Sequence, residues 1–364
     1  HVNLDPSKLD LNKAWPLKYT STIIRLFCHI PSRSPFSSFS ASSSNLSVNS
    51  TSYYQSGACW YLIDSMALNK RLPDPAATEA DAESLARILR SIDLQRYGLL
   101  KCQGLIKQKA METGWPKAIH FVFRAPSWWL PPAEGLGLSD ARGQSTALPR
   151  SLREMLILPY SNYSSPALPS LTTRLHIARR LANSVSFVHV CNLVHKNIRP
   201  ESIICFWQGA GSSIGTTDWR EQRPEVFLMG FELFRGVSVD TMYLGDESFE
   251  RNLYRHESRQ GPTAEERYVM QHDIYSLGVC LLEIGLWCSL VTYKMEWDGT
   301  ETVQPSELLG LNAHVYDLAT WPKATQVAIK NDLLALTKQK LPGAMGEKYT
   351  DIVTTCLACL DSSE

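Results

Sequence analysis

Residues 273–288, DIYSLGVCLLEIGLWC, are apolar on nearly every side of a helical projection. A helix of that kind has no solvent face and must be wrapped by other parts of the chain. The run is too short to cross a bilayer, and Asp273 and Glu283 make it too polar. It predicts a central buried helix with a carboxylate at its head, and such a carboxylate needs partners. The 364 residues, 44% hydrophobic and 20% charged, can supply the enclosing layers. Basic and acidic residues each number 36, so no whole-chain basic field exists to hold nucleic acid. No stretch reaches 18 apolar residues, so no contact with a membrane interior is expected. The nine cysteines follow no paired spacing, which points to a reduced, cytoplasmic chain.

Ahead of that helix the pattern changes twice. Residues 31–52 are Ser-rich with Arg33 as their single charge, too little apolar surface to offset ordering entropy. Residues 1–56 are therefore read as a partly disordered segment ending in a linker. Order is expected from residue 57. Trp60–Met66 reads as a strand, Asp81–Ile92 as a helix on Leu85, Ile88 and Leu89, and Gly98–Gln108 and Ile119–Arg124 as further strands. Pro126 ends the last of these. Residues 57–130 would form a small β-rich lobe, and the Pro/Gly-rich 131–149 a long loop.

From 150 to 364 the signals are mainly helical. Ser151–Leu156 starts a short helix. Leu171, Leu175, Ala178, Leu181, Ala182, Val185 and Val188 share a helical face, with Ser170 as N-cap and Asn192 as the left-handed residue after the helix. Residues 203–207 and 225–229 suggest a hairpin whose polar tip holds Gly209, Gly211 and Gly215. Tyr349, Ile352, Val353, Cys356, Leu357 and Leu360 mark a last helix. The expected class is α+β.

One constellation carries a functional reading. A helix leads into Leu193-Val194-His195-Lys196-Asn197-Ile198-Arg199-Pro200-Glu201-Ser202, then comes the hairpin, then the buried helix opening Asp-x-x-Ser-x-Gly. This order resembles the C-lobe of the eukaryotic protein kinases, whose catalytic loop reads H-R-D-L-K-P-E-N. In that register Gly230, Phe231 and Glu232 fall where D-F-G stands. Tyr254–Ser258 resembles the end of the activation segment. The wording of LVHKNIRPESI and HDIYSLGVCLLEIGLW is similar to a fungal group of kinase-like domains in heterokaryon-incompatibility and prion-type signalling proteins. The resemblance implies a bilobal kinase-like fold over about residues 57–360, with a degenerate β-rich N-lobe and a helical C-lobe.

It also implies what phosphoryl transfer would need. The base position is Asn197, an amide that cannot take up a proton at neutral pH. The metal-ligand positions are Gly230, which has no side chain, and Ser202, one neutral oxygen. Arg199 matches the loop lysine. His195 is implied to be structural. Asp273 is implied to clamp the backbone N–H groups of His195 and Lys196. Residues 1–56 contain no glycine, so no phosphate loop is read there, and the strand at 60–66 lacks its lysine. Glu79 or Glu83 could be the helix carboxylate, without an evident partner. The expected protein is a pseudokinase, a signalling or interaction module for protein partners or other domains of a longer chain, using no cofactor. The alternative is an atypical active kinase in which Glu232 binds metal and ATP is the cofactor.

Other motifs carry less. His176, His189, His195 and Cys191 fit no zinc spacing, and Cys356-Leu357-Ala358-Cys359 lies in an amphipathic helix, so no metal site is expected. Trp128 and Trp129 are expected to pack between lobes. Glu257 sits one place early for the glutamate that closes the activation segment, and its arginine partner falls past Glu364 or is absent.

Overall fold

The computed structural model describes residues 3–4, 14–29, 59–67, 75–91, 94–109, 116–129, 148–157, 168–207, 223–231, 235–236, 244–246, 248–307, 310–311 and 322–361. The Ser-rich run 31–52, the loop at 131–147, the glycine-bearing tip at 209–215 and Glu232 lie outside the described residues.

The chain is α+β. β1 (Trp15–Pro16), β2 (Ile23–His29), β3 (Cys59–Ala67), β4 (Cys102–Lys109) and β5 (Pro116–Arg124) form one antiparallel sheet in the order β1-β2-β3-β5-β4. Alternation places Ile24, Leu26, Leu62, Phe121 and Phe123 in the core. Helix α1 (Pro75–Ser91) buries Ala82, Leu85, Ala86 and Leu89 and packs beside β4. The sheet does not begin at residue 57, since β1 and β2 belong to it. The β-branched and aromatic run of β2 pairs along the whole of Cys59–Ser65, across the intervening Ser-rich segment. That partner is remote in sequence, so the local window shows only a short apolar run.

The second part starts with β6 (Arg150–Ser151) and α2 (Leu152–Ile157), followed by α3 (Leu171–Val190) and β7 (Leu193–Val194). β8 (Ile203–Phe206) and β9 (Glu225–Leu228) make the expected hairpin, with β6 on its edge. β10 (Arg235–Gly236) pairs with β7, and β11 (Leu244–Asp246) with β12 (Gly261–Thr263) around the short α4 (Phe249–Asn252). Helix α5 (Met270–Leu286) is the buried run, and β13 (Val291–Met295) and β14 (Glu301–Pro305) form a hairpin after it. α6 (Lys323–Met345) and α7 (Glu347–Leu357) complete the wrapping. Two glycines let α7 approach α5: a Cβ on Gly278 would lie 2.7 Å from Cys356 Cβ, and one on Gly285 3.0 Å from Tyr349.

Ser170 caps α3 by accepting the Thr173 N–H at 3.1 Å, and Asn192 is left-handed (φ 57°). The expected face of α3 fails in its first turns. Leu171 and Leu175 are 46% and 43% exposed, while Thr173 and Arg174 are buried. Arg174 turns inward because its guanidinium reaches the Gly285 carbonyl at 2.5 Å, near the C-terminal end of α5. In α7, Ile352 is likewise outside the buried face, at 55% exposure. Trp129 joins the two parts of the chain, edge-on to Trp60 of β3 (5.9 Å) and to Phe206 of β8 (5.4 Å).

Beneath these contacts lies a buried ionic centre. Arg153 of α2 is fully buried. Its Nε donates to Glu201 Oε1 at 2.9 Å, and one terminal nitrogen to Glu283 Oε1 at 2.7 Å and Ser289 Oγ at 2.6 Å. The other terminal nitrogen meets the Tyr254 hydroxyl, which donates to Glu283 Oε2 at 2.7 Å. Tyr293 donates to Glu201 at 3.1 Å. One guanidinium thus ties α2, the 200–202 turn, the 254 loop, α5 and β13. Its removal would leave two buried carboxylates without their cation. Arg153→Ala should cost about 3–5 kcal/mol in urea denaturation. Arg153→Met, which restores bulk but not charge, should recover little of it; full recovery would show that packing rather than pairing matters there.

Candidate functional site

The candidate site is the junction between the five-stranded sheet and the 195–202 loop. Asp273 organises the loop from below. It is fully buried and accepts the backbone N–H groups of His195 (2.7 Å) and Lys196 (2.9 Å), the two that the resemblance assigns to it. The Tyr268 hydroxyl (2.7 Å) and His189 Nε2 (3.1 Å) complete its shell. Burial pushes this carboxyl up, and the donors around it, His189 first, more than offset that and hold it below the ordinary range. Lys196 sits at φ 64°, so the clamp holds the loop in a turn that a side chain rarely adopts.

Asn197 is engaged at every polar group. Its Nδ2 donates to the Gly230 carbonyl at 3.1 Å, its Oδ1 accepts from Arg199 Nε at 3.0 Å, and its carbonyl accepts the Ser202 hydroxyl at 2.5 Å. Its own N–H points to His195 Nδ1 at 3.3 Å. His195 is fully buried against Phe231 (ring centroids 4.8 Å), and burial lowers its pKa to about 4. Phe231 also packs on Phe123 of β5, at 6.2 Å. Arg199 is buried and directed at Asn197, so its charge stays inside the loop.

From the sheet side, the β1–β2 loop descends into the junction. The Ser21 N–H donates to the Glu201 carbonyl at 3.0 Å, and Ser21 Oγ lies 3.0 Å from Ser202 Oγ. The Lys18 carbonyl accepts the Ser151 hydroxyl at 3.0 Å. Tyr19 packs against Tyr293, with tilted rings 4.7 Å apart between centroids. Next to Ser21, Thr22 donates to Asp64 of β3. Asp64 is buried, and its Oδ2 accepts the Gly230 N–H at 3.0 Å. Burial pushes its pKa up despite these donors. Gly230 has φ +80°, and a Cβ there would lie 2.5 Å from Ser21 Oγ and 3.0 Å from Ser202 Oγ.

His195, Asn197, Arg199, Ser202, Gly230, Phe231 and Asp273 are therefore all brought together. The residues present do not fit Mg-ATP. The oxygens of Asn197 and Ser202 are spent on the loop, Gly230 has neither a side chain nor room for one, and β3 contributes the Asp64 carboxylate rather than a cation. Among the described residues no group of three His, Cys, Asp or Glu is placed to hold a metal. Cys356 and Cys359 are free, half-buried thiols, and burial pushes Cys356 up to about 11.

Asp64, Ser21 and Thr22 were not singled out by sequence reading. A single Asp inside the apolar run Trp60–Met66 was the available signal, since a carboxylate in a buried strand needs built partners. Ser21 offered none, because its contacts span 180 residues of chain. Glu79 and Glu83 do have a cation: both pair with Lys107 of β4, Glu83 at 2.6 Å. Glu257 approaches Lys330 of α6 at 4.0 Å, and Lys330 also pairs with Asp361. No known family model matches the chain, and no curated protein matches it.

Two measurements check this arrangement. Asp273→Ala should lose about 2–4 kcal/mol of stability, and Asp273→Asn less, because its amide oxygen still accepts one loop N–H. The second is pH. Burial holds His195, His256 and His272 at about 4 against the ordinary 6.5. Between those values the unfolded chain takes up protons that the folded chain refuses, so their stability is complete above 6.5 and falls as the pH drops toward 4. The urea midpoint should decline from pH ~7 to ~5, and His195→Asn should flatten the decline.

Proposed function

We propose that this chain has a bilobal protein kinase-like fold and works as a catalytically silent pseudokinase, an interaction module for protein partners or for other domains of a longer chain. The succession of an antiparallel sheet with one helix, a hinge at Trp129, and a helical part around a buried helix supports the fold reading. So does the clamp of Asp273 on His195 and Lys196. The phrases at 193–204 and 272–287 support a place beside the fungal group they resemble.

The observation that carries silence is the closure at Gly230. A phosphoryl-transfer site must offer metal ligands, a base and a cradle of N–H groups to an anionic ligand. Here the Gly230 N–H already serves Asp64, Ser21 stands against the Gly230 Cα, and the Asn197 amide is bonded at both ends. These parts act as a unit, so repair of one does not restore the reaction.

Millimolar Mg-ATP should leave the melting temperature unchanged, because only a ligand bound to the folded chain raises it. Asn197→Asp should show no phosphotransfer to itself or to a generic substrate. Gly230→Asp should bind no Mg-ATP and should melt earlier, since its Cβ strains the positive φ and displaces Ser21. A Mg-dependent rise in melting temperature, or kinase-like turnover by Asn197→Asp, would overturn the proposal.

A further inference from the structure

The β13–β14 hairpin ends in a side chain that the fold does not use. Trp297 is 97% exposed and Met295, two residues earlier, 66%. Single exposed apolar residues are common on any surface. The turn that bears this one is tightly built. The Glu296 N–H donates to the Thr300 carbonyl (2.8 Å) and the Gly299 N–H to the Glu296 carbonyl (3.0 Å), with Gly299 left-handed at φ +82°. Asp298 accepts both the N–H (2.9 Å) and the hydroxyl (2.6 Å) of Thr300. Five cross-strand pairs from Val291↔Pro305 to Met295↔Glu301 hold the stem. The backbone that presents Trp297 is thus held by the fold, and aromatic side chains are common anchors of protein interfaces.

The surrounding charge says what the anchor would take. Residues 294–301 carry Glu296, Asp298 and Glu301 against Lys294, a local excess of negative charge on a chain whose net charge is zero. An indole face attracts a cation, arginine above all, and flanking carboxylates complete a pairing for its guanidinium. The base of the hairpin is fixed as well. Tyr293 packs against Tyr19 and donates to Glu201, and the Tyr19 hydroxyl donates to Glu301 at 3.4 Å. Glu301 is thereby oriented toward the stem. Glu296 and Asp298, the neighbours of Trp297 in sequence, each give one oxygen to the hairpin, Glu296 to the Thr302 hydroxyl at 2.9 Å and Asp298 to Thr300, so the second oxygen of each is the one a guanidinium would take.

We propose that the tip of this hairpin is a docking site for an arginine-bearing segment of a partner protein, received on Trp297 between Glu296 and Asp298. This does not depend on the kinase-like reading. The test uses the full chain and a fluorescein-labelled peptide of alternating arginine and glycine, with a glutamate–glycine peptide as control, followed by fluorescence anisotropy. The arginine peptide should bind, and more weakly as salt rises. Trp297→Ala should weaken binding tenfold or more, Trp297→Phe less, and Glu296→Gln should weaken it further in combination. The melting temperature of Trp297→Ala should equal that of the parent, showing that the loss is not one of folding. Equal binding by Trp297→Ala, or no preference for arginine over glutamate in the parent chain, would overturn the proposal.

Discussion

Arg153 is the interaction on which the rest of this structure depends. A fully buried guanidinium is tolerable only when its donors are met by charge and by oriented oxygens, and here Glu201, Glu283, Tyr254 and Ser289 meet them. Burial pushes the Glu201 carboxyl up, but Arg153 and Arg199 outweigh it and hold the group below its ordinary value. The network gains little in net energy over an apolar core of equal volume, and its value lies in register. It admits one relative placement of α2, the 200–202 turn and α5. The 195–202 loop follows from that placement, because its far end is tied to Glu201 and its near end to Asp273 on α5.

The junction above the loop is closed by internal hydrogen bonds. Each group that could face a ligand has been given an internal partner. Asp64 accepts the Gly230 N–H and the Thr22 hydroxyl, Asn197 bridges Gly230 and Arg199, and Ser21 closes over Ser202. These bonds are charge-assisted or buried, so opening the junction would expose several unsatisfied groups at once. The β13–β14 hairpin belongs to the same framework, with its stem resting on Tyr19 and its tip in water.

Legibility in the sequence followed contact range. The strand and helix patterns around Leu62, Leu85 and Phe121 could be read, because an apolar period within ten residues records which face is buried. The Ser170 cap and the left-handed Asn192 could be read for the same reason: both are satisfied within a few residues. The face of α3 was misread at Leu171 and Leu175. Its first turn is oriented by Arg174 reaching a carbonyl 111 positions away, and no local period records that. The place of β2 in the sheet was missed on similar grounds, since its partner lies beyond a long polar run.

By itself the sequence determined that residues 273–288 would be enclosed and that Asp273 would need donors. It also determined that Asn197, Gly230 and Ser202 carry no carboxylate. These are statements about side-chain chemistry and local period, which hold wherever the residues lie. Only the tertiary structure decided that Asp64 would take the Gly230 N–H, that Ser21 would occupy the space over Gly230, that Arg153 would sit between Glu201 and Glu283, and that Trp297 would stand in water. Each of these depends on which remote segments meet, and a buried polar group finds its partner only when packing has fixed that meeting.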